Sequence, residues 1–170
     1  MNILVLYHSK TGRTKALAES VAKGVERVTN VTAFLRSVED VRKSDFLAAD
    51  GVIAGSPVYF GGMAAELKSV LDRFIGTRSS MAGKVGAAFA SGNHHTGGKE
   101  TTLLSILRSL LIYGMVVTGD PLYTGGHYGI ACAGAPSDSS HEEAARFGEH
   151  VARLVARLGC PESRSEEVAP

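Results

Sequence analysis

Residues 8–14 carry the most distinctive chemistry in the sequence. They join an apolar run to an amphipathic one and read His8-Ser9-Lys10-Thr11-Gly12-Arg13-Thr14. Hydroxyl groups here, together with free amides at the start of a helix, can hold a phosphate group. Gly12 permits a tight turn and close approach of a ligand. The alternative is an ordinary helix cap at Thr11 or Thr14. We predict phosphate binding by Ser9, Lys10, Thr11, Gly12, Arg13 and Thr14.

Other phosphate-binding loops fit the sequence poorly. There is no G-x-G-x-x-G pattern, which argues against a dinucleotide-binding Rossmann domain. The run 97–100 resembles the end of a nucleoside triphosphatase loop. However, Glu100 stands where Ser or Thr would bind magnesium, and Asn93 stands where the leading glycine belongs. We therefore exclude a nucleoside triphosphatase.

A second loop places two adjacent aromatic residues beside glycines. It spans Ser56, Pro57, Val58, Tyr59, Phe60, Gly61, Gly62 and Met63. Such a loop can cover the edge of a flat ring with one side chain while its amides approach the ring's heteroatoms. The alternative is that Phe60 caps the core and Tyr59 lies on the surface. We predict ring binding by residues 56–61, and the sequence does not decide which aromatic contacts the ring.

A third loop contains more polar groups than a structural turn requires. It spans Ser91, Gly92, Asn93, His94, His95, Thr96, Gly97 and Gly98. We predict that all of these except His95 line a cofactor site, where amides can stabilise negative charge on a reduced ring. The two histidines also suggest a metal, but no third ligand lies near them in sequence, and we predict none. They can instead be exposed residues without a role.

Hydrophobic periodicity places these loops at the ends of strands. Short apolar runs predict strands over 3–7, 31–35, 51–55, 85–90 and 115–118, the last resuming near 129–133. Helical spacing predicts helices over 14–28, 41–49, 64–74, 98–113 and 140–158, with Ser139 or Ser140 capping the last. The long helix 98–113 buries most of its leucines, and Ile112 lies off that apolar arc.

Alternating strands and helices predict an α/β fold, namely a doubly wound parallel sheet of five strands with helices on both faces. The order 2-1-3-4-5 has a switch point between strands 1 and 3, where ligands bind at the carboxyl ends of strands. The three loops should meet there. One domain over residues 1–158 and a polar tail over 159–170 account for the chain.

Composition limits the remaining function classes. The 170 residues carry a net charge of +1, with 18 basic and 17 acidic residues and no basic stripe, so we expect no nucleic-acid partner. No apolar stretch is long enough to span a bilayer, and the first apolar run is too short for a signal peptide. Cys132 and Cys160 lack metal-like spacing. We therefore expect reduced thiols and a cytoplasmic location.

Taken together, the motifs resemble the flavodoxin-like superfamily. The pattern Ser9-x-Thr11-Gly12-x-Thr14 is similar to its FMN-phosphate loop. Residues 55–63, 96–101, 113–117 and 125–129 more narrowly resemble WrbA-type NAD(P)H:quinone oxidoreductases and related short flavodoxin-family proteins. The resemblance covers roughly residues 2–158. It implies non-covalent FMN, with its phosphate on residues 9–14 and its ring between residues 56–62 and 91–98.

The resemblance also implies activity and partners. A WrbA-like enzyme takes a hydride from NAD(P)H onto flavin N5 and delivers two electrons to a small quinone. It also implies a homodimer or tetramer. The chain departs from that pattern in having Tyr113 in place of a histidine and a brief segment 118–125. Tyr59, Tyr113 and His94 are candidates for substrate contacts, although Tyr113 can simply end a packed helix.

Two function classes compete with that prediction. An electron-carrier flavodoxin would serve a protein redox partner, but such carriers are usually acidic and often hold the flavin between two aromatics. This chain is near neutral, has no Trp, and has an aromatic pair in only one loop. The third class, a non-redox interaction protein without flavin, does not explain the intact phosphate loop.

Overall fold

Six parallel strands form one central sheet in the computed structural model, which describes residues 1–159. The strands are β1 (Asn2–Tyr7), β2 (Thr32–Ser37), β3 (Gly51–Pro57), β4 (Val85–Gly92), β5 (Val116–Thr118) and β6 (Ile130–Ala133). Their order is β2-β1-β3-β4-β5, and β6 also pairs with β4. The predicted fold class and strand order are confirmed, including the fifth strand that stops and resumes.

Helices cover both faces of the sheet. They are α1 (Arg13–Val25), α2 (Lys43–Ala48), α3 (Ala65–Arg73), α4 (Arg78–Met81), α5 (Lys99–Ile112) and α6 (Asp138–Leu158). The four-residue α4 was not predicted. Helix α6 begins earlier than expected because Ser137, not Ser139 or Ser140, is the N-cap, and its side chain accepts the N–H of Ser140. Cys160 and the remainder of the predicted tail lie outside the described residues.

The first strand shows why its sequence is continuously apolar. Leu4 and Leu6 face the core beneath α2–α5, whereas Ile3 and Val5 face the core beneath α1 and α6. Successive side chains of a strand point to opposite faces, so a strand covered on both sides is buried throughout. Because both faces of β1 are buried, the position of its carboxyl end is fixed, and with it the start of the loop that follows.

Helices α1 and α6 pack very closely against each other. A Cβ on Gly24 would lie 1.8 Å from the carbonyl oxygen of Ala145, and one on Gly148 would lie 2.1 Å from that of Val21. Only glycine leaves room for such a contact between backbones. The contact holds α1, and therefore its first turn, in a fixed position on the sheet.

Strand β1 lies between β2 and β3, and the chain winds outward from it in both directions. The carboxyl ends of β1 and β3 therefore border the switch point of the sheet. Among residues 1–159, no helix is both long and apolar enough to cross a membrane.

Candidate cofactor cleft

The three predicted loops meet in one cleft of about 370 Å³ at the carboxyl ends of β1, β3 and β4. That volume lies at the lower end of the range for small-molecule sites. The cleft is lined by residues Lys10, Thr11, Arg13, Thr14, Pro57, Val58, Tyr59, Phe60, Gly61, Ser91, Gly92, Asn93, His94 and Gly97. Every one of these residues belongs to the predicted set.

The first loop leaves the start of α1 without a side-chain cap. Gly12 is the N-cap residue, with φ +88°, and no side chain accepts from the first turn. The Thr14 hydroxyl hydrogen-bonds instead to the Ser91 hydroxyl at 2.8 Å, so Thr14 does not cap the helix. The Ser9 hydroxyl accepts the N–H of Gly12 at 3.1 Å. The loop is thus shaped by the protein, while the helix keeps unpaired donors.

Positive charge surrounds these donors. Lys10 and Thr11 are exposed and make no hydrogen bond or ion pair with the rest of residues 1–159. Arg13 donates from Nη1 to the side-chain oxygen of Asn93, which ties the first loop to the third. Together with the positive end of the α1 dipole, these groups favour a bound anion.

The second loop turns sharply at Phe60 and Gly61. Tyr59 and Gly62 exchange two backbone hydrogen bonds of 3.0 Å, and the two residues between them have φ of +50° and +76°. Such values suit glycine or asparagine and are strained for phenylalanine. Phe60 is fully exposed, so the alternative in which it caps the core is wrong, and Tyr59 is partly exposed on the cleft wall.

Ser56 supports this loop from below and does not line the cleft. It is fully buried, donates to the Pro57 carbonyl at 2.7 Å and accepts the N–H of Ala64 at 2.8 Å. The N–H of Val58 also donates to the Ser91 carbonyl at 2.8 Å, which joins the loop to the end of β4. The Ser56 hydroxyl is thus engaged within the protein, and contact between Ser56 and a cofactor stays a prediction.

The third loop approaches the second at the backbone. A Cβ on Gly98, whose φ is +90°, would lie 2.8 Å from the Cα of Gly61. The Thr96 hydroxyl lies 2.9 Å from His94 Nδ1 and fixes that ring beside the cleft. Thr96 and Gly98 therefore support the loop, as Ser9 and Gly12 support the first, while Gly97 and residues 91–94 line the cleft.

The thiol of Cys132 lies just behind this loop. Cys132 pairs in register with Ser91, and burial raises its pKa. Lys99 and Arg13 act in the opposite direction through their charge, so both cations lie near this part of the sheet. Burial outweighs them, and the thiol remains neutral. Within residues 1–159, no three side chains of the metal-binding types converge on one point.

Tyr113 does not contribute to the cleft. Its side chain is 2 % exposed, its hydroxyl donates to the Leu71 carbonyl at 2.5 Å, and its ring packs against Phe46. Helix α5 starts at the cleft and runs back across the sheet, which carries its last residue to the opposite edge. Tyr113 as a substrate contact is therefore wrong, and the alternative of a packed helix end is confirmed.

Sequence reasoning missed two polar residues. Asp120 is buried and accepts the N–H groups of Gly126 and His127, which organises the segment between β5 and β6. His8 is buried next to the first loop, between Glu39 and Glu66. Neither arrangement has a sequence signal. The partners of His8 come from separate segments, and those of Asp120 are backbone N–H groups, which every sequence provides.

The fold and the cleft together define a class, the doubly wound α/β proteins that bind a cofactor at the switch point of a parallel sheet. Residues 1–128 match the family model described as NADPH-dependent FMN reductase. The chain belongs to this family within the flavodoxin-like superfamily, and its resemblance to the WrbA type is confirmed.

Named relatives include flavodoxins and NAD(P)H dehydrogenases (quinone). A flavodoxin of Aquifex aeolicus is 36 % identical, over 91 % of this chain and 86 % of its own. An NAD(P)H dehydrogenase (quinone) of Archaeoglobus fulgidus is 35 % identical, over 92 % of this chain and 98 % of its own. The solved structure of a WrbA-like flavodoxin from Agrobacterium tumefaciens superposes with a TM-score of 0.79 at 25 % identity. The superposition covers 92 % of this chain and 98 % of that one.

The residues of the cleft fit FMN, the cofactor that the family description names. Unpaired donors at the start of α1 and the adjacent cations suit a dianionic phosphate. The aromatic second loop, joined to the third by glycine contacts, suits a flat ring. The predicted cofactor and the NAD(P)H-linked redox class agree with the family.

Proposed function

We propose that this protein is an FMN-dependent NAD(P)H:quinone oxidoreductase. The observation that carries the proposal is the cleft in which an uncapped helix terminus faces an exposed aromatic loop. When bound there, FMN supplies hydride transfer from a nicotinamide and two-electron delivery to a quinone. The protein contributes binding, orientation and access.

The first loop is proposed to hold the phosphate. Backbone N–H groups of residues 9–14, with Lys10 and Arg13, would grip the ester, and Gly12 would bring the backbone close. Because Thr14 is held by Ser91, its amide is fixed relative to β4 rather than free to move. The site is therefore organised before the ligand arrives, which lowers the entropic cost of binding.

The second and third loops are proposed to hold the ring. Tyr59 and Phe60 are the only Phe, Tyr or Trp side chains that line the cleft within the described chain. Loop 91–98 has none, so one ring face stays open to a second flat molecule. This opening favours an enzyme that binds a nicotinamide and then a quinone over a carrier that covers its flavin.

An electron-carrier flavodoxin is the second candidate, and one observation favours it. The alignment with the Aquifex flavodoxin spans 160 residues, whereas that with the Archaeoglobus quinone dehydrogenase spans 187 for almost the same share of this chain. The quinone dehydrogenase therefore has additional segments that this chain lacks. The brief segment 118–125 agrees with that difference.

Anaerobic mixing of the FMN-loaded protein with NADH or NADPH separates the two. The enzyme is expected to lose its yellow absorbance within a turnover time and to regain it when a soluble quinone is added. A carrier would stay yellow until a protein reductase is supplied. Persistent colour with both nicotinamides, in protein shown to contain FMN, would contradict the enzymatic function.

We also propose a homo-oligomer in the cytoplasm. Leu111 and Ile112 at the end of α5, and Val116 at the start of β5, are each about half exposed and close in sequence. Exposed apolar groups of this kind are common at subunit contacts. Sedimentation at micromolar concentration measures the assembly, and a monomer would contradict it.

A further inference from the structure

His8 is a buried imidazole with an unsatisfied nitrogen. Its side chain is only 10 % exposed, and Nδ1 has no hydrogen-bond partner. Among the buried side-chain nitrogens and oxygens of residues 1–159, it is the only one without a partner. Buried polar atoms are nearly always paired, because leaving one unpaired loses its hydration without a compensating hydrogen bond. An exception beside a ligand cleft calls for a physical explanation.

Two carboxylates flank this imidazole on opposite sides. Glu39 Oε1 lies 3.5 Å from Nδ1, and Glu66 Oε2 lies 3.7 Å from Nε2. The Tyr59 ring lies close by at an interplanar angle of 68°, with the ring centroids 6.5 Å apart. A neutral imidazole has one donor, so it would direct a lone pair toward one carboxylate. The protonated ring has two donors and matches both.

The cluster also connects the two loops predicted to hold FMN. The backbone of His8 donates to the Gly55 carbonyl at 3.1 Å and leads directly into the first loop. Glu66 is in the first turn of α3, immediately after the second loop, and Tyr59 belongs to that loop. Glu39 follows β2. Tightening the contacts of His8 therefore draws the two loops toward each other.

Protonation also changes the charge beside the cleft. With both carboxylates ionised, the cluster carries about −2 when His8 is neutral and about −1 when it is protonated. A less negative cluster repels a phosphate dianion less. The geometric and the electrostatic effects therefore act in the same direction and favour FMN at lower pH.

We propose that His8 is a positioning residue that couples FMN binding to pH by bridging Glu39 and Glu66 when protonated. The proposal rests on FMN as the cofactor of this cleft. The affinity for FMN is expected to fall as the pH rises from about 5 to 8. Because both carboxylates are more than half exposed, the change is about two- to fivefold.

Fluorescence titration of the apoprotein with FMN between pH 5 and 8.5 tests this. The variants are His8→Gln, which cannot be protonated, and Glu66→Gln, with Asp72→Asn as the control. Asp72 is an exposed carboxylate of the same helix that pairs with Lys68. The FMN phosphate also ionises near pH 6, but it does so equally with every variant. The difference between the curves isolates His8.

Wild type and Asp72→Asn should lose affinity with rising pH about two- to fivefold more than His8→Gln, with Glu66→Gln in between. Equal pH dependence in wild type and His8→Gln would overturn the proposal. Thermal unfolding of each apoprotein detects a variant that fails to fold, in which case Glu66→Gln alone decides. Failure of all proteins to bind FMN would instead refute the cofactor, and nicotinamide oxidation plays no part in this test.

Discussion

Two glycines of one helix show how the cleft differs from the packed body beneath it. At Gly12, where α1 begins, a Cβ would meet nothing within 4 Å, but φ is +88°. At Gly24, near the other end, φ is ordinary but a Cβ would lie 1.8 Å from the Ala145 carbonyl. The first position needs a conformation, and the second needs space. The backbone at the cleft stays accessible at Gly12, whereas the backbones of α1 and α6 are in direct contact at Gly24.

The beginnings of the helices show the same contrast. Helix α6 packs against α1 and starts with a capping Ser137. Helices α1 and α5 have Gly12 and Gly98 as N-cap residues, both with positive φ and neither providing a side-chain cap. A cap contributes about 1 kcal/mol. The two helix starts at the cleft therefore lack the stabilisation that the cap gives to α6.

The largest effect is expected from filling the space at Gly24. Gly24→Ala gains about 1 kcal/mol of helix propensity, but the methyl group forces α1 and α6 apart at the backbone. We expect a net loss of about 3 kcal/mol in the free energy of unfolding of the apoprotein. Urea denaturation measures it, with the exposed neighbour Lys23→Ala as control. Equal midpoints for the two variants would show that the helices are not in rigid contact.

The next effect concerns the buried phenol of Tyr113. Burial raises its pKa to about 12 from the ordinary value of 10.0, because the charged form would be desolvated. The unfolded chain therefore releases this proton at lower pH than the native state. The stabilisation is complete below pH 10 and is lost as the pH rises toward 12, by about 2 kcal/mol.

Denaturation of wild type and Tyr113→Phe between pH 8 and 12 tests that sign. The variant lacks the hydrogen bond to Leu71 and should be less stable at pH 8, while losing less stability at higher pH. Other tyrosines and lysines titrate in both proteins, so the difference between the curves belongs to Tyr113. Parallel curves would show that this phenol is not desolvated.

The fold could be predicted because its signals are repeated and local. Strands β1 and β4 are unbroken apolar runs, and α1 keeps helical spacing for several turns. The exact start of α6 could not be predicted, because Ser137, Ser139 and Ser140 have the same capping propensity. The three-dimensional position of the preceding turn selects Ser137. Helix α4 is too short for any period to be visible.

The cleft could be predicted as a set of loops but not as a set of contacts. Parallel strands end at the same edge, so the loops after β1, β3 and β4 had to meet. Ser56 and Thr96 have the same composition signal as their neighbours, yet the Ser56 hydroxyl is bonded inside the protein and the Thr96 hydroxyl is bonded to the His94 ring. The direction of a side chain depends on the turn around it. The position of His8 between Glu39 and Glu66 could not be predicted either, because both glutamates are far from it in sequence.

The cleft glycine gives a smaller change in stability and a specific change in binding. Gly12→Ala should cost about 1 kcal/mol, because a residue with a Cβ is strained at positive φ. Relief of that strain would displace the amides of the first loop, and the affinity for FMN should fall about tenfold, equivalent to about 1.4 kcal/mol. Denaturation and fluorescence titration measure the two effects separately.

Gly83→Ala is the matched control for that change. Gly83 has φ +75°, and a Cβ there would meet nothing within 4 Å, but the residue follows α4 and does not line the cleft. The same loss of stability with unchanged FMN affinity is expected. A comparable loss of affinity in both variants would mean that binding follows global stability, and the contrast between cleft and body would disappear.

The smallest effect has the opposite sign. Phe60 is strained at φ +50° and its side chain is fully exposed, so Phe60→Asn removes little packing. It also provides the Asn-Gly pair that this turn geometry prefers, and Asn30 already adopts φ +64° elsewhere in the chain. The apoprotein should gain about 0.5 kcal/mol in free energy of unfolding. If quinone reduction slows in the same variant, the strain is retained because the phenyl ring contacts the substrate. A loss of stability would show instead that the ring packs against the protein.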